Sequence, residues 1–234
     1  MSEAARALRP ARTNERQQLR EEVATYVREL ILSGQVKPGE FLRMERIAEA
    51  VGVSNTPVRE GLLTLRNEGV VRLVPNRGFI VERFSAQDVH DLFWAQAQLA
   101  AELASRAAEH ITLEQLDRLE QIVEEQDKAA AAGDTDRIAD LGHAFHREIN
   151  LAAQSPRLAH LLASMVGNLP NRFYATIEAH VVEARDEHPQ LVKALRRRNA
   201  KRAADLMRVH ILEGADHLVA LLEQRGMWAD GDEG

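Results

Sequence analysis

The chain has 234 residues, no cysteine, 45% hydrophobic residues and only 4% aromatics. That length suits two domains, the absent cysteines exclude disulfides and thiolate metal sites, and the Ala- and Leu-rich balance favours helix-on-helix packing over sheets. The net charge of -6 is unevenly shared: residues 1–84 carry 14 Lys/Arg against 11 Asp/Glu and the remainder 16 against 25, so the basic excess that a phosphate-binding surface needs lies in the N-terminal third.

In chain order, residues 1–12 show no settled period and are expected to form a mobile basic arm. Thr13 or Asn14 is placed to cap a helix through Ile31, with Leu19, Val23, Tyr26, Val27, Leu30 and Ile31 at helical spacing. Lys37-Pro38-Gly39 is a turn, a short helix is predicted over 43–50 and stopped by Gly52, and Ser54 or Asn55 caps a further helix to Asn67. Val70–Val74 and Gly78–Glu82 read as a hairpin closed by Pro75-Asn76-Arg77. From Ser85 on, the pattern is helical throughout, over about 86–109, 113–132, 134–153, 157–168, 170–184, 187–198 and 200–225. The expected organisation is therefore mainly α. A winged helix-turn-helix of three helices and a hairpin (13–84) precedes an all-helical bundle (85–226), with a frayed tail over 227–234. No apolar run approaches the roughly 20 residues of a membrane span, and no signal-peptide pattern opens the chain. The expected location is the cytoplasm, with no membrane partner.

The segment Arg43–Asn67 has the spacing of a helix-turn-helix, whose second helix is presented to DNA by its N-terminus. Ser54, Asn55 and Thr56 are short enough to reach base edges or phosphates there, and Arg59 lies one turn in on the same face. Asn76, Arg77 and Gly78 form a wing tip able to touch backbone or minor groove, and Arg43 precedes the first helix of the pair.

Three of the nine histidines stand out: His146, His188 and His210, each beside apolar residues expected to face the bundle interior. Imidazoles converging from three helices suit a divalent transition metal such as zinc, nickel or manganese. Equally, each can be a hydrogen-bonded core residue.

These motifs also carry a resemblance. Residues 15–83 resemble the winged-helix domain of the GntR family through IAEAVGVSNTPVREGLLTLRNEGVVRLVPNRGFIV, and residues 86–225 resemble the FCD ligand-binding domain, the FadR-like branch. The family usually has Arg at the position of Asn55 and Ala at that of Gly61, a glycine expected to weaken its helix by roughly 0.5–1 kcal/mol. The resemblance implies a metal held by His146, His188, His210 and an Asp four residues before His146. That position is Gly142 here, so His143 and Asn150, one turn either side of His146, are the candidate substitutes. It implies a small organic-acid effector, for which Arg172 is the candidate cation. It implies a homodimeric repressor binding double-stranded operator DNA, and no enzyme activity. The rival from another class is a metal-dependent hydrolase built on the three histidines.

Overall fold

The computed structural model describes residues 9–166 and 187–227, with side chains from residue 16 onward. The chain divides into two compact units. The first comprises the residues up to Ser85 together with those from Leu222 on, and the second Ala86–Leu221. Among the described residues no helix is long and apolar enough to cross a membrane.

The first unit opens with α1 (Arg9–Leu32), which starts four residues before the expected cap. Pro10 is tolerated because the first turn of a helix has no use for its missing N–H, and the Arg- and Gln-rich stretch that follows propagates well. Then come β1 (Phe41–Leu42), α2 (Met44–Val51), α3 (Asn55–Asn67), β2 (Val71–Val74) and β3 (Gly78–Val81). The wing is a three-stranded antiparallel sheet in the order β1-β3-β2, with Phe41 opposite Ile80 and Leu42 opposite Phe79. The two-strand hairpin expected from the sequence lacked β1, which is too short to show an alternation. Ser54 does hold the N-cap position of α3, but its side chain makes no capping bond.

Val23, Ala24, Val27 and Ile31 from α1, Val58, Leu62 and Leu65 from α3, and Phe79 and Val81 from β3 are all buried. The two long helices approach closely at Gly61, where an added Cβ would stand 2.7 Å from Val23 Cγ1 and 2.9 Å from the Arg20 carbonyl oxygen. The glycine that costs helix propensity is thus the residue that lets α1 and α3 touch. Beside it, Arg28 is only 4% exposed and paired with Glu68 at 2.8 Å, with Glu21 at 3.2 Å, which ties α1 to the C-terminal end of α3. Two residues after α9 pack in this unit: Arg225 donates to the Leu32 carbonyl at 3.2 Å, and Met227 is 3% exposed. A guanidinium capping the last turn of α1 and a buried apolar side chain hold residues 225–227 in this unit.

The second unit holds α4 (Ala86–His110), α5 (Leu113–Ala132), α6 (Thr135–Ala152), α7 (Pro156–Val166), α8 (Glu187–Arg196) and α9 (Ala200–Gln224), the last turn of α9 belonging to the first unit. Its joins follow local chemistry. Thr112 and Gln115 form a reciprocal capping box at the start of α5, Gly133 ends that helix at φ 69, and Asp134 accepts from the Arg137 N–H to begin α6. Ala100, Ala104, Ala107 and Ala108 give α4 a small-residue face against which Phe145, Ile149, Leu191, Leu195 and Met207 close the core. The helix expected at 170–184 lies outside the described residues.

Candidate nucleic-acid interface and metal centre

Helix α3 buries its Val58-Leu62-Leu65 stripe and leaves Asn55, Thr56 and Arg59 exposed at its N-terminal end, with Ser54 exposed before them. Those four residues share the end of the helix whose backbone N–H groups attract phosphate. Arg43 is exposed immediately before α2. At the wing, Asn76 takes a left-handed φ of 58 and Gly78 one of 97, which turns the chain between β2 and β3 and projects Arg77. The Arg77 guanidinium carbon lies 4.8 Å over the centre of the Phe41 ring. A cation held against an aromatic face has fewer conformations to lose when it meets a phosphate. Phe41 carried no signal in the sequence, because the contact depends on β1 pairing with β3.

In the second unit, His146 from α6, His188 from the first turn of α8 and His210 from α9 meet: one ring nitrogen of each lies within 4.8 Å of the others. Pro189 and Glu187 favour a helix start here, and that start places His188 inward, 4% exposed, with its ring stacked on Phe145 at 4.0 Å. His210 is 6% exposed and its Nε2 stands 3.0 Å from Nε2 of His146. Its Nδ1 lies 2.7 Å from Glu187 Oε2. The Nδ1 of His188 lies 2.9 Å from Oε1 of Gln126 on α5. A carboxylate and an amide carbonyl can only accept, so each Nδ1 carries the proton and each Nε2 carries the lone pair.

The donor set fits a divalent transition metal. Nε2 of His146 and Nε2 of His210 face each other at hydrogen-bond distance, 3.0 Å, so one proton lies between them in the metal-free protein and a cation can take its place. With metal–nitrogen bonds of about 2.0–2.1 Å, adjacent ligands of one ion stand roughly 2.9–3.4 Å apart, a spacing that His146 and His210 satisfy at 3.0 Å. Of the expected metals, zinc and nickel suit imidazole nitrogens best, while manganese prefers oxygen ligands.

The acids around the centre are perturbed. The hydrogen bond from His210 holds Glu187 down to about 2 against the opposition of burial, with further help from a hydrogen bond to Glu213. Glu213 is pushed up to about 7, first by sharing that hydrogen bond with Glu187 and then by burial. Neither acid, nor Gln126, was singled out in the sequence, where their relation to the histidines is spread over three helices. Gly142 is buried one turn before His146, while His143 and Asn150 are half-buried on α6. Neither of the latter belongs to the three-histidine cluster of ligand nitrogens. Arg172 lies outside the described residues.

The sequence matches two family descriptions: "Bacterial regulatory proteins, gntR family" over residues 19–81 and the FCD domain over residues 91–213. The chain belongs to the GntR family, in its FCD-bearing branch. GntR regulators are DNA-binding proteins rather than enzymes, so the hydrolase reading falls and the helix-turn-helix and wing are its DNA-binding unit. Among its relatives, YdhC of Bacillus subtilis (strain 168), an uncharacterized HTH-type transcriptional regulator, is 28% identical over 85% of this chain and 90% of its own. The HTH-type transcriptional repressor RspR of Escherichia coli (strain K12) is 22% identical over 92% of this chain and 95% of its own. The same fold is seen in the solved structure of E. coli McbR/YncC, with a TM-score of 0.64 at 23% identity over 89% of this chain and 98% of that one.

Proposed function

We propose that this GntR regulator is a cytoplasmic, homodimeric repressor whose hold on its operator is set by a small organic acid bound at a divalent metal in the FCD domain. His146, His188 and His210 hold the metal, with His143 and Asn150 lining the space beside them and Arg172 as a further candidate cation. Ser54, Asn55, Thr56 and Arg59 face the major groove, and Arg43, Asn76, Arg77 and Gly78 the flanking backbone. The observation that carries the metal and effector reading is the meeting of three imidazoles: one ring nitrogen of each lies within 4.8 Å of the others, and the acceptors Gln126 and Glu187 sit on Nδ1 of His188 and His210, which leaves Nε2 of each for an ion.

A bound metal supplies a dipositive charge and open positions for carboxylate oxygens. The surrounding residues orient the imidazoles, bury the centre and bias the acids. With Gly142 where a carboxylate would otherwise sit, the three protein ligands are neutral, so the centre keeps its full charge for an anionic ligand. The ligand acts on DNA only through different affinity for the DNA-competent and incompetent arrangements of the dimer. Repression relieved by ligand is the sign favoured, since blocking a promoter needs no contact with polymerase, and the relatives RspR and GlaR of E. coli (strain K12) are described as repressors.

Elemental analysis of the purified protein beside its His188→Ala variant tests the metal. Near-stoichiometric zinc, nickel or manganese lost in the variant supports the reading, and no uptake after reloading rejects it. Selection of duplexes from a random-sequence pool, followed by Arg59→Ala, tests the DNA face. Binding undiminished in a folded Arg59→Ala protein rejects that assignment.

A further inference from the structure

We propose that Gln126 is a positioning residue for the metal centre, holding His188 in the tautomer and orientation that present Nε2 to the ion; this rests on the metal reading above. Gln126 is 2% exposed and its carbonyl oxygen meets His188 Nδ1 at 2.9 Å. Phe145 stacks on the same ring at 4.0 Å with 24° between the planes. Stacking fixes the plane of the imidazole, and the hydrogen bond fixes its rotation within that plane. Because the amide oxygen can only accept, the single proton of the neutral ring stays on Nδ1. Glu187 does the same for His210, from a half-buried position and with a negative charge. The two supports therefore differ in kind, one anionic and one neutral and deep.

The other end of Gln126 shows that this position is not occupied for the sake of the core. Its amide nitrogen is buried and has no hydrogen-bond partner among the described residues. A buried donor without an acceptor is a standing cost to stability, and the neighbouring positions along the α5–α6 seam, Ala129, Ile138 and Leu141, are apolar. Methionine has nearly the same length and volume and would carry no such cost. The one hydrogen bond the Gln126 side chain makes among the described residues is the one to His188, so the residue serves the histidine at the expense of the fold. Supports of this kind typically alter metal affinity by about 10–100-fold when removed.

The test uses the full chain, zinc as the probe, and the variants Gln126→Met and Gln126→Glu. Long-range ¹H–¹⁵N spectra of the metal-free proteins report which nitrogen of His188 is protonated, and competition with a chromophoric chelator reports zinc affinity. The expected result is an Nδ1–H tautomer in the wild type and in Gln126→Glu, whose carboxylate is also purely an acceptor. Gln126→Met should shift His188 toward Nε2–H and lose zinc affinity about 10–100-fold with a metal-free Tm no lower than that of the wild type. Zinc affinity in Gln126→Glu should return to within a few-fold of the wild type. Wild-type zinc affinity in Gln126→Met overturns the role of Gln126 alone. So does a loss of affinity that comes only with a lower Tm and an unchanged tautomer. A wild type that takes up no zinc overturns instead the metal reading of the whole site.

Discussion

Replacing Gly61 by alanine sets two effects against each other that the sequence and the structure rank in opposite order. Helix propensity alone makes Gly61→Ala stabilising by about 0.5–1 kcal/mol. The new methyl group, however, would lie 2.7 Å from Val23 Cγ1, 2.9 Å from Val23 Cβ and 2.9 Å from the Arg20 carbonyl oxygen. All three are well inside the roughly 3.5–4.0 Å of an ordinary carbon contact. Val23 is fully buried and the oxygen is backbone, so neither can swing aside. Relief requires α1 and α3 to part, and overpacking of that kind costs about 1–3 kcal/mol. The net expectation is destabilisation of the DNA-binding unit by about 1 kcal/mol. Two-state unfolding is a poor gauge in a two-unit chain, so the assay is native-state hydrogen exchange at amides of α1 and α3, where faster opening reports the loss. Val23→Ala removes the nearest clashing atom, and its cost should be smaller in the Gly61→Ala background than alone. A Gly61→Ala protein with slower exchange than the wild type would falsify the packing argument and leave propensity in charge.

Three further contacts carry expected outcomes. Phe41→Ala should weaken binding to selected operator duplexes by about 2–5-fold, in keeping with an exposed cation–π contact of about 0.5–1 kcal/mol. It should have no effect once Arg77 is already alanine; additive losses in the double variant would break the link. In metal-free protein, Glu213→Gln should change the pH dependence of stability between its ordinary value of 4.5 and about 7. The folded state favours the protonated acid, so its contribution is complete below 4.5 and is lost as pH rises through 7. The wild-type Tm should therefore fall relative to Glu213→Gln across that window, and parallel curves would refute the shared proton. Arg198 adopts a φ of 52 and donates to the carbonyls of Glu109 at 2.6 Å and Ile111 at 3.1 Å, which lie at the C-terminal end of α4. Arg198→Ala should fray that end and cost about 1–2 kcal/mol, read as faster exchange of the amides at 107–111; unchanged protection there would show that solvent caps the helix equally well.

Much of this protein was legible in its residues because the signals are local. Stops such as Gly52, the left-handed C-cap of α2, act within a turn or two of the chain, so they read the same in sequence and structure. The apolar stripe Val58-Leu62-Leu65 likewise assigns the inner face of α3 and, by default, turns Asn55, Thr56 and Arg59 outward. Periodicity also put His146, His188 and His210 on inward faces. It could not say whether three inward faces meet. That depends on how α6, α8 and α9 cross, and only the packed helices bring Nε2 of His146 and Nε2 of His210 to 3.0 Å.

What the sequence determined alone was the order and kind of the described elements other than β1, the exposed N-terminal face of α3 and the identity of the three imidazoles, all set by interactions between residues near one another in the chain. Tertiary structure decided the rest: the β1 strand that exists only by pairing with β3, the seating of Arg77 on Phe41, the need for Gly61, the burial of Met227, and the support of His188 by Gln126, 62 residues away. Each is a contact between distant segments, whose free energy is realised only after the loop between them is closed, so no local pattern announces it.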